Sequence, residues 1–256
     1  RPLDDLVAEY GFDPAMRAQQ AIDDSWDLLE LMIRESNASL PIERFIGHMG
    51  MFTLDHVTVH LRSSLLRQRA GLRTPHCVVS DTAPFLEQID AAFAGLYEVV
   101  PDEQIHELLG PHGGSYCAVL SDWKGCANGA LLVEQLLDHL QSSYTDRFRF
   151  VDHTPVERVA LGDSWAKIDA GGYCVETTRV VMCTNGFVDH VIENTTGPDI
   201  SPLLHHRVDG DVGYMVGFLD EEVREPNALS FIRNEVIGGD TPYVYVTTRP
   251  FQRADR

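Results

Sequence analysis

The sequence predicts a mixed α/β (α+β) fold in two parts, on three observations. Residues 130–140 carry apolar side chains at 131, 132, 133, 136, 137 and 140, the stripe of an amphipathic helix. A series of short strand-like segments follows and ends in the apolar run Val180-Val181-Met182-Cys183. That run stops at Thr184-Asn185-Gly186, two small polar residues and a glycine that let a backbone turn sharply and approach something closely. Helix, strand, β-meander and a second buried strand make the back half of a layered α/β nucleotide-binding unit.

The elements are justified in chain order. Residues 4–35 are helical in pattern, with Pro14 in an early turn behind Asp13 as N-cap and Leu28, Leu29, Leu31, Met32 and Ile33 crowding the end. The stretch 43–55 reads as a strand or hairpin broken by Gly47 and Gly50. Residues 56–70 form a helix stopped by Gly71, 81–89 a short helix, and 101–109 another, capped by Asp102 and stopped by Gly110. From 113 the texture turns glycine-rich and loop-like, with a short strand at 116–120.

After the 130–140 helix, strands are expected at 148–151 and 156–161. Residues 165–169 alternate between two faces, Gly171-Gly172 turns the chain, 173–177 returns, and 180–183 is the buried last strand. Strand signals recur at 212–219 and 243–248, in a second sheet-bearing lobe, with mixed loop between them. The chain lacks an initiator Met and ends without closure at "TTRPFQRADR", so a processed product or excised piece is expected.

Composition narrows the function. The net charge is −19, from 39 acidic against 20 basic residues, with no basic stripe. Such a chain repels phosphate backbones and attracts cations, which argues against nucleic acid and for a cationic substrate such as an amine. The hydrophobic content of 44% suits a sizeable core, and no apolar run approaches the roughly 20 residues of a membrane span. Five widely spaced cysteines without a CxxC predict buried thiols in a reducing, cytoplasmic compartment.

Chemical motifs are few. His56 and His60 share a helix face but lack a third ligand, and adjacent His205-His206 would point to opposite faces of a strand, so no metal is expected. No G-x-S-x-G elbow, Walker loop or G-x-G-x-x-G occurs. Cys117 and Cys183 sit in apolar runs, where an inert thiol is the ordinary outcome.

The ordered set of segments nevertheless resembles a known group. "GGSYCAVLSDWKGCANGALLVEQLLDHL", then "TPVERV", then "VVMCTNGF", preceded by "YEVVPDEQIHELLG", is similar to the FAD-dependent oxidoreductases of the D-amino-acid oxidase family, which includes glycine oxidase and sarcosine oxidase. Asn128-Gly129 stands where that family has a His-Pro-type pair at a helix start. The family's N-terminal strand–GxGxxG–helix unit and its ribose-holding acid are missing, and would lie just before a segment like 1–35. Asn185 stands where a smaller residue is common.

The resemblance implies a partial FAD/NAD(P)-binding Rossmann-like domain from 1–40 and 111–197, and a mixed-sheet substrate lobe from 41–110 and 198–256. It implies FAD contacts at Val156, against the adenine side, and at Cys183, Thr184, Asn185 and Gly186, where the strand end meets the cofactor. It implies oxidation of an amine or amino-acid C–N bond by hydride transfer to flavin, which demands little acid–base machinery of the protein. Substrate contacts are then expected from the second lobe: Tyr243 and Tyr245 on one strand face, Arg249 for a carboxylate, and His48 and Met51 beside the Gly47/Gly50 break. Two alternatives stand beside this reading. One is a non-catalytic module packing on a partner, which the missing glycine loop favours; the other is a flavin dehydrogenase acting on a C–OH bond.

Overall fold

A computed structural model describes residues 2–40, 42–110, 114–184, 190–204, 215–219, 222, 224–232 and 243–249. The chain is mixed α/β with two mixed sheets, and it divides into two compact units. Unit 1 is Arg1–Ser142 with Asp220–Arg256, and unit 2 is Ser143–Leu219. The expected grouping placed 41–110 and 111–197 in different domains. Here the first strand of the one range pairs along its whole length with the first strand of the other, residue 42 opposite 127 through 51 opposite 118.

Unit 1 opens with helices α1 (Leu3–Tyr10) and α2 (Phe12–Ser36). Gly11, at φ 87°, separates them, so the second helix starts there and Asp13 lies in its first turn instead of capping it. Intrahelical pairs Gln20–Asp24 and Trp26–Glu30 support the long second helix, and Asn37 closes it in a left-handed conformation. Then follow β1 (Ile42–Met51), α3 (Leu54–Arg69), β2 (His76–Ser80), β3 (Glu98–Val100), α4 (Asp102–Leu109), β4 (Ala118–Ala127) and α5 (Gly129–Ser143). Thr53 caps α3 by accepting from the His56 N–H. The 81–89 segment holds a single 3₁₀ turn, Leu86–Gln88, in place of a helix.

Two expectations in this unit are corrected. The segment around Gly47 and Gly50 is one unbroken strand. Its glycines admit neighbours: a Cβ at Gly50 would lie 2.7 Å from Tyr116 Cδ1, and one at Gly47 2.7 Å from the Ala228 carbonyl. The glycine-rich stretch after 113 is a ten-residue strand, because pairing with β1 outweighs the weak propensity of Lys124-Gly125.

The last strands of unit 1 come from far along the chain. β9 (Asn227–Ile232) and β10 (Tyr243–Thr248) join β1, giving the order β10-β9-β1-β4-β2-β3. β9, β1, β2 and β3 run parallel to one another, while β4 and β10 are antiparallel to them. Alternation sorts the side chains onto two covered faces. Met51, Cys77, Val79 and Ala118 pack with Val57 and Leu61 of α3. Val78, Val119 and Phe231 pack with Ile105 and Leu109 of α4. Four of the five residues of β2 are buried, as befits a strand covered on both sides.

Unit 2 is built on the meander β5 (Val156–Leu161), β6 (Ala166–Ala170) and β7 (Tyr173–Thr177), turned by Gly171-Gly172 at φ 54° and 82°. β8 (Val191–Asn194) returns parallel to β5, giving the order β7-β6-β5-β8, and the short α6 (Ser201–Leu204) follows. Arg158 on β5 is clamped between Asp169 of β6 and Glu193 of β8.

Three strand expectations fail here. The run 180–183 carries no strand, and Val181 is 84% exposed; the place beside β5 belongs to β8. Residues 148–151 carry none either, with Phe150 and Val151 more than half exposed. Of 212–219, the described residues 215–219 are irregular and open, Met215 at 89%. Apolar content alone does not make a strand without a partner edge.

Candidate functional site

In open α/β sheets ligands gather at the carboxyl ends of parallel strands. In unit 1 that edge is formed by the ends of β9, β1, β2 and β3. An aromatic cluster sits over its β9/β1 side. Phe52 stacks on Tyr116 at 4.0 Å between centroids, and Tyr116 meets Phe231 at 5.5 Å. The Tyr116 hydroxyl donates to the Ile232 carbonyl at 3.3 Å. Next to it the Cys117 N–H donates to Met51 O, and the Ser80 N–H donates to Cys117 O, stitching the strand ends together.

A polar cluster occupies the β2/β3 side. The fully buried Ser80 hydroxyl donates to Asp102 Oδ1 at 2.8 Å, the Thr82 N–H donates to Ser80 Oγ at 3.1 Å, and His106 Nε2 lies 3.0 Å from Asp102 Oδ2. The Ser80 hydrogen bond leads in holding the Asp102 carboxyl below its usual range, helped by His106 and against partial desolvation. Burial, and then the Asp102 charge, pushes the Cys117 thiol up.

Ser80, Asp102 and His106 do not form a nucleophilic triad. In a triad the serine donates to histidine; here it donates to the carboxylate and its oxygen is engaged by Thr82. What the cluster does is pin the first turn of α4 to the end of β2, leaving Asp102 and His106 partly open to solvent. A cation approaching this edge meets a carboxylate held ionised.

The expected substrate residues do not converge. Register places Tyr245 and Met51 on one sheet face and His48 on the other. Met51 is fully buried in the core beneath α3. Half-buried His48 places Nδ1 2.9 Å from Ser121 Oγ, and burial lowers its pKa. Tyr243 stands at the carboxyl-end edge, Tyr245 is 51% exposed, and Arg249 lies past the other end of β10, about 20 Å of extended chain from Tyr243.

The expected cofactor residues belong to unit 2. Val156 opens β5, is 42% exposed, and borders a register irregularity before Arg158. Cys183 is exposed and Thr184 half-buried in a segment without regular structure; Asn185 and Gly186 lie outside the described residues. Arg158, the basic residue at the centre of this sheet, is already neutralised by two carboxylates. Asn128 caps α5 with its own side chain, its Oδ1 accepting from Leu131 N–H, so that helix start is occupied. Among the described residues, then, no cradle fits a dinucleotide.

An open depression of about 630 Å³ lies elsewhere, between the C-terminal end of α2 and α5. It is lined by Ser36, Asn37, Ala38, Gln135, Asp138, His139, Gln141 and Ser142, and none of the expected residues borders it. Among the described residues no group of three or more His, Cys, Asp or Glu could hold a metal, and no helix is long and apolar enough to cross a membrane. Set against protein families, curated proteins and solved structures, the chain has no match.

Proposed function

We propose that the chain belongs to an FAD-dependent oxidoreductase of the D-amino-acid oxidase type, oxidising the C–N bond of an amine or amino acid. In this reading unit 2 supplies the meander side of a Rossmann-like FAD-binding layer, and unit 1 supplies a mixed-sheet substrate lobe. One observation carries it: β8 returns parallel to β5 after the β6–β7 meander. The acidic surface and the ionised Asp102 at the strand-end edge agree with a cationic substrate. The described residues form no FAD cradle, so no step of flavin chemistry is assigned to their side chains.

The test uses protein expressed from its full reading frame. Visible flavin absorbance is recorded, then amines, amino acids and 2-hydroxy acids are added without oxygen. Bleaching by an amine or amino acid is the expected result. Bleaching by hydroxy acids alone moves the reading to a C–OH dehydrogenase, and protein that retains no added FAD overturns both.

A non-catalytic module packing on a partner is the second reading, and apolar exposure favours it. Leu28 of α2 is 56% exposed, Trp123 of β4 52% and Val133 of α5 65%. A flavin-free full-length protein that gains thermal stability only with a co-purifying partner would establish this reading over the first.

A further inference from the structure

We propose that β10 is a self-association edge, through which two copies of this chain pair antiparallel and join their six-stranded sheets into one. Among the described residues β10 lies at the end of the sheet, with β9 as its neighbour. It pairs with β9 over all six residues without a bulge, so its backbone groups on the far side form a regular row with no strand against them among the described residues. Edge strands ordinarily carry a charge, a proline or a bulge to block pairing. Within Tyr243–Thr248, "YVYVTT", none of these occurs; the sequence carries them only just outside, at Pro242 and Arg249-Pro250. Val244, Tyr245 and Val246 are 48%, 51% and 46% exposed, so both faces of the strand are open.

The strand is also complementary to its own reverse. With a two-fold axis through Tyr245, perpendicular to the sheet, Tyr245 meets Tyr245 of the second copy and Val244 meets Val246 in both directions. Aromatic and β-branched residues opposite one another are favourable cross-strand pairs, and no like charges face each other within the strand. A second copy satisfies the edge without any further chemistry. Pairing one strand on one strand gives a small interface, so association is expected on the order of micromolar. Each copy carries a charge of −19, so repulsion opposes pairing and salt favours it.

The test is sedimentation equilibrium of the full chain over a range of concentration and NaCl, with Tyr245→Lys and Tyr245→Glu. For the present 256 residues the wild type should move from 28.6 kDa toward twice that mass, more so at high salt. Each variant alone places like charges across the axis and should stay monomeric. An equimolar mixture of the two places Lys opposite Glu and should associate again. Circular dichroism and thermal unfolding establish that both variants are folded. A wild type that stays monomeric at hundreds of micromolar in high salt overturns the proposal. So does a Tyr245→Lys protein that associates like the wild type, or a folded mixture that pairs no better than its components.

Discussion

The Trp26 indole of α2 lies where a side chain on Gly125 of β4 would be: a Cβ there would fall 1.8 Å from Trp26 Cη2. The indole N–H donates to Glu30, and Arg44 stacks 5.5 Å from the ring centroid while reaching Glu30 with its Nε at 2.9 Å. Helix and strand are thus joined through a residue with no side chain. Gly125→Ala should cost about 1–3 kcal/mol by overpacking. Denaturant unfolding measures this, and adding Trp26→Ala should return part of the loss; strictly additive effects would refute the contact.

Arg67 holds α2 to α3 from a site only 8% exposed. Its guanidinium donates to the Arg73 carbonyl at 2.7 Å, to Gln19 Oε1 at 2.9 Å and to Asp23. Arg67→Ala leaves those acceptors without their donor and should cost roughly 2–4 kcal/mol, since Asp23 keeps some access to water. Arg67→Lys should recover little, because an ammonium cannot span three acceptors fixed for a planar fork. Equilibrium unfolding of both variants decides it.

Acid should act in two windows. Burial lowers the pKa of His48, His56 and His60 from 6.5; at His56 the Asp55 charge opposes this, and at His60 the neighbouring His56 adds to it. The unfolded chain therefore binds protons first, and stability is lost as pH falls from about 6.5 toward the folded values. His60→Gln should flatten that limb of a stability–pH curve. Asp102 is shifted down from 3.8, so its contribution is present above that value and lost as pH falls further. Asp102→Asn should weaken the second limb, to which Glu193, held down by its hydrogen bond from Arg158, also contributes, and leave the first.

Thiol labelling should follow exposure. Cys174 and Cys183 are open, whereas burial pushes the Cys77 thiol up to about 12. Iodoacetamide at mildly alkaline pH should modify the first two in the native protein and Cys77 only on unfolding. Mass spectrometry of the labelled peptides checks this, and rapid native labelling of Cys77 would contradict the packing of β2 beneath α3.

Local chemistry made some elements readable in advance. The stripe at 131–140 marks α5, and alternation with Gly171-Gly172 marks the β6–β7 hairpin. β9 escaped because its buried residues, Ala228 and Phe231, lie on opposite faces and are interleaved with Asn227 and Ser230, which breaks the period of two. The run 180–183 misled because hydrophobicity does not reveal whether a partner edge exists, and β8 holds that place. At the strand-end edge, Asp102 has the sequence signature of a helix cap. Its bond to Ser80, 22 residues away, depends on strands β2 and β3 lying side by side, which no short window encodes.

Because unit 2 interrupts unit 1, synthesis and folding run in different orders. β4 ends at Ala127 and β9 begins at Asn227. At roughly 5–20 residues per second, a ribosome takes on the order of 5–20 s to cross that interval. The nascent chain therefore carries β1 with one flank bare while the whole of 143–219 emerges and has time to fold. Slow codons in that interval would lengthen the exposure, and a chaperone that shields extended edges would act there first.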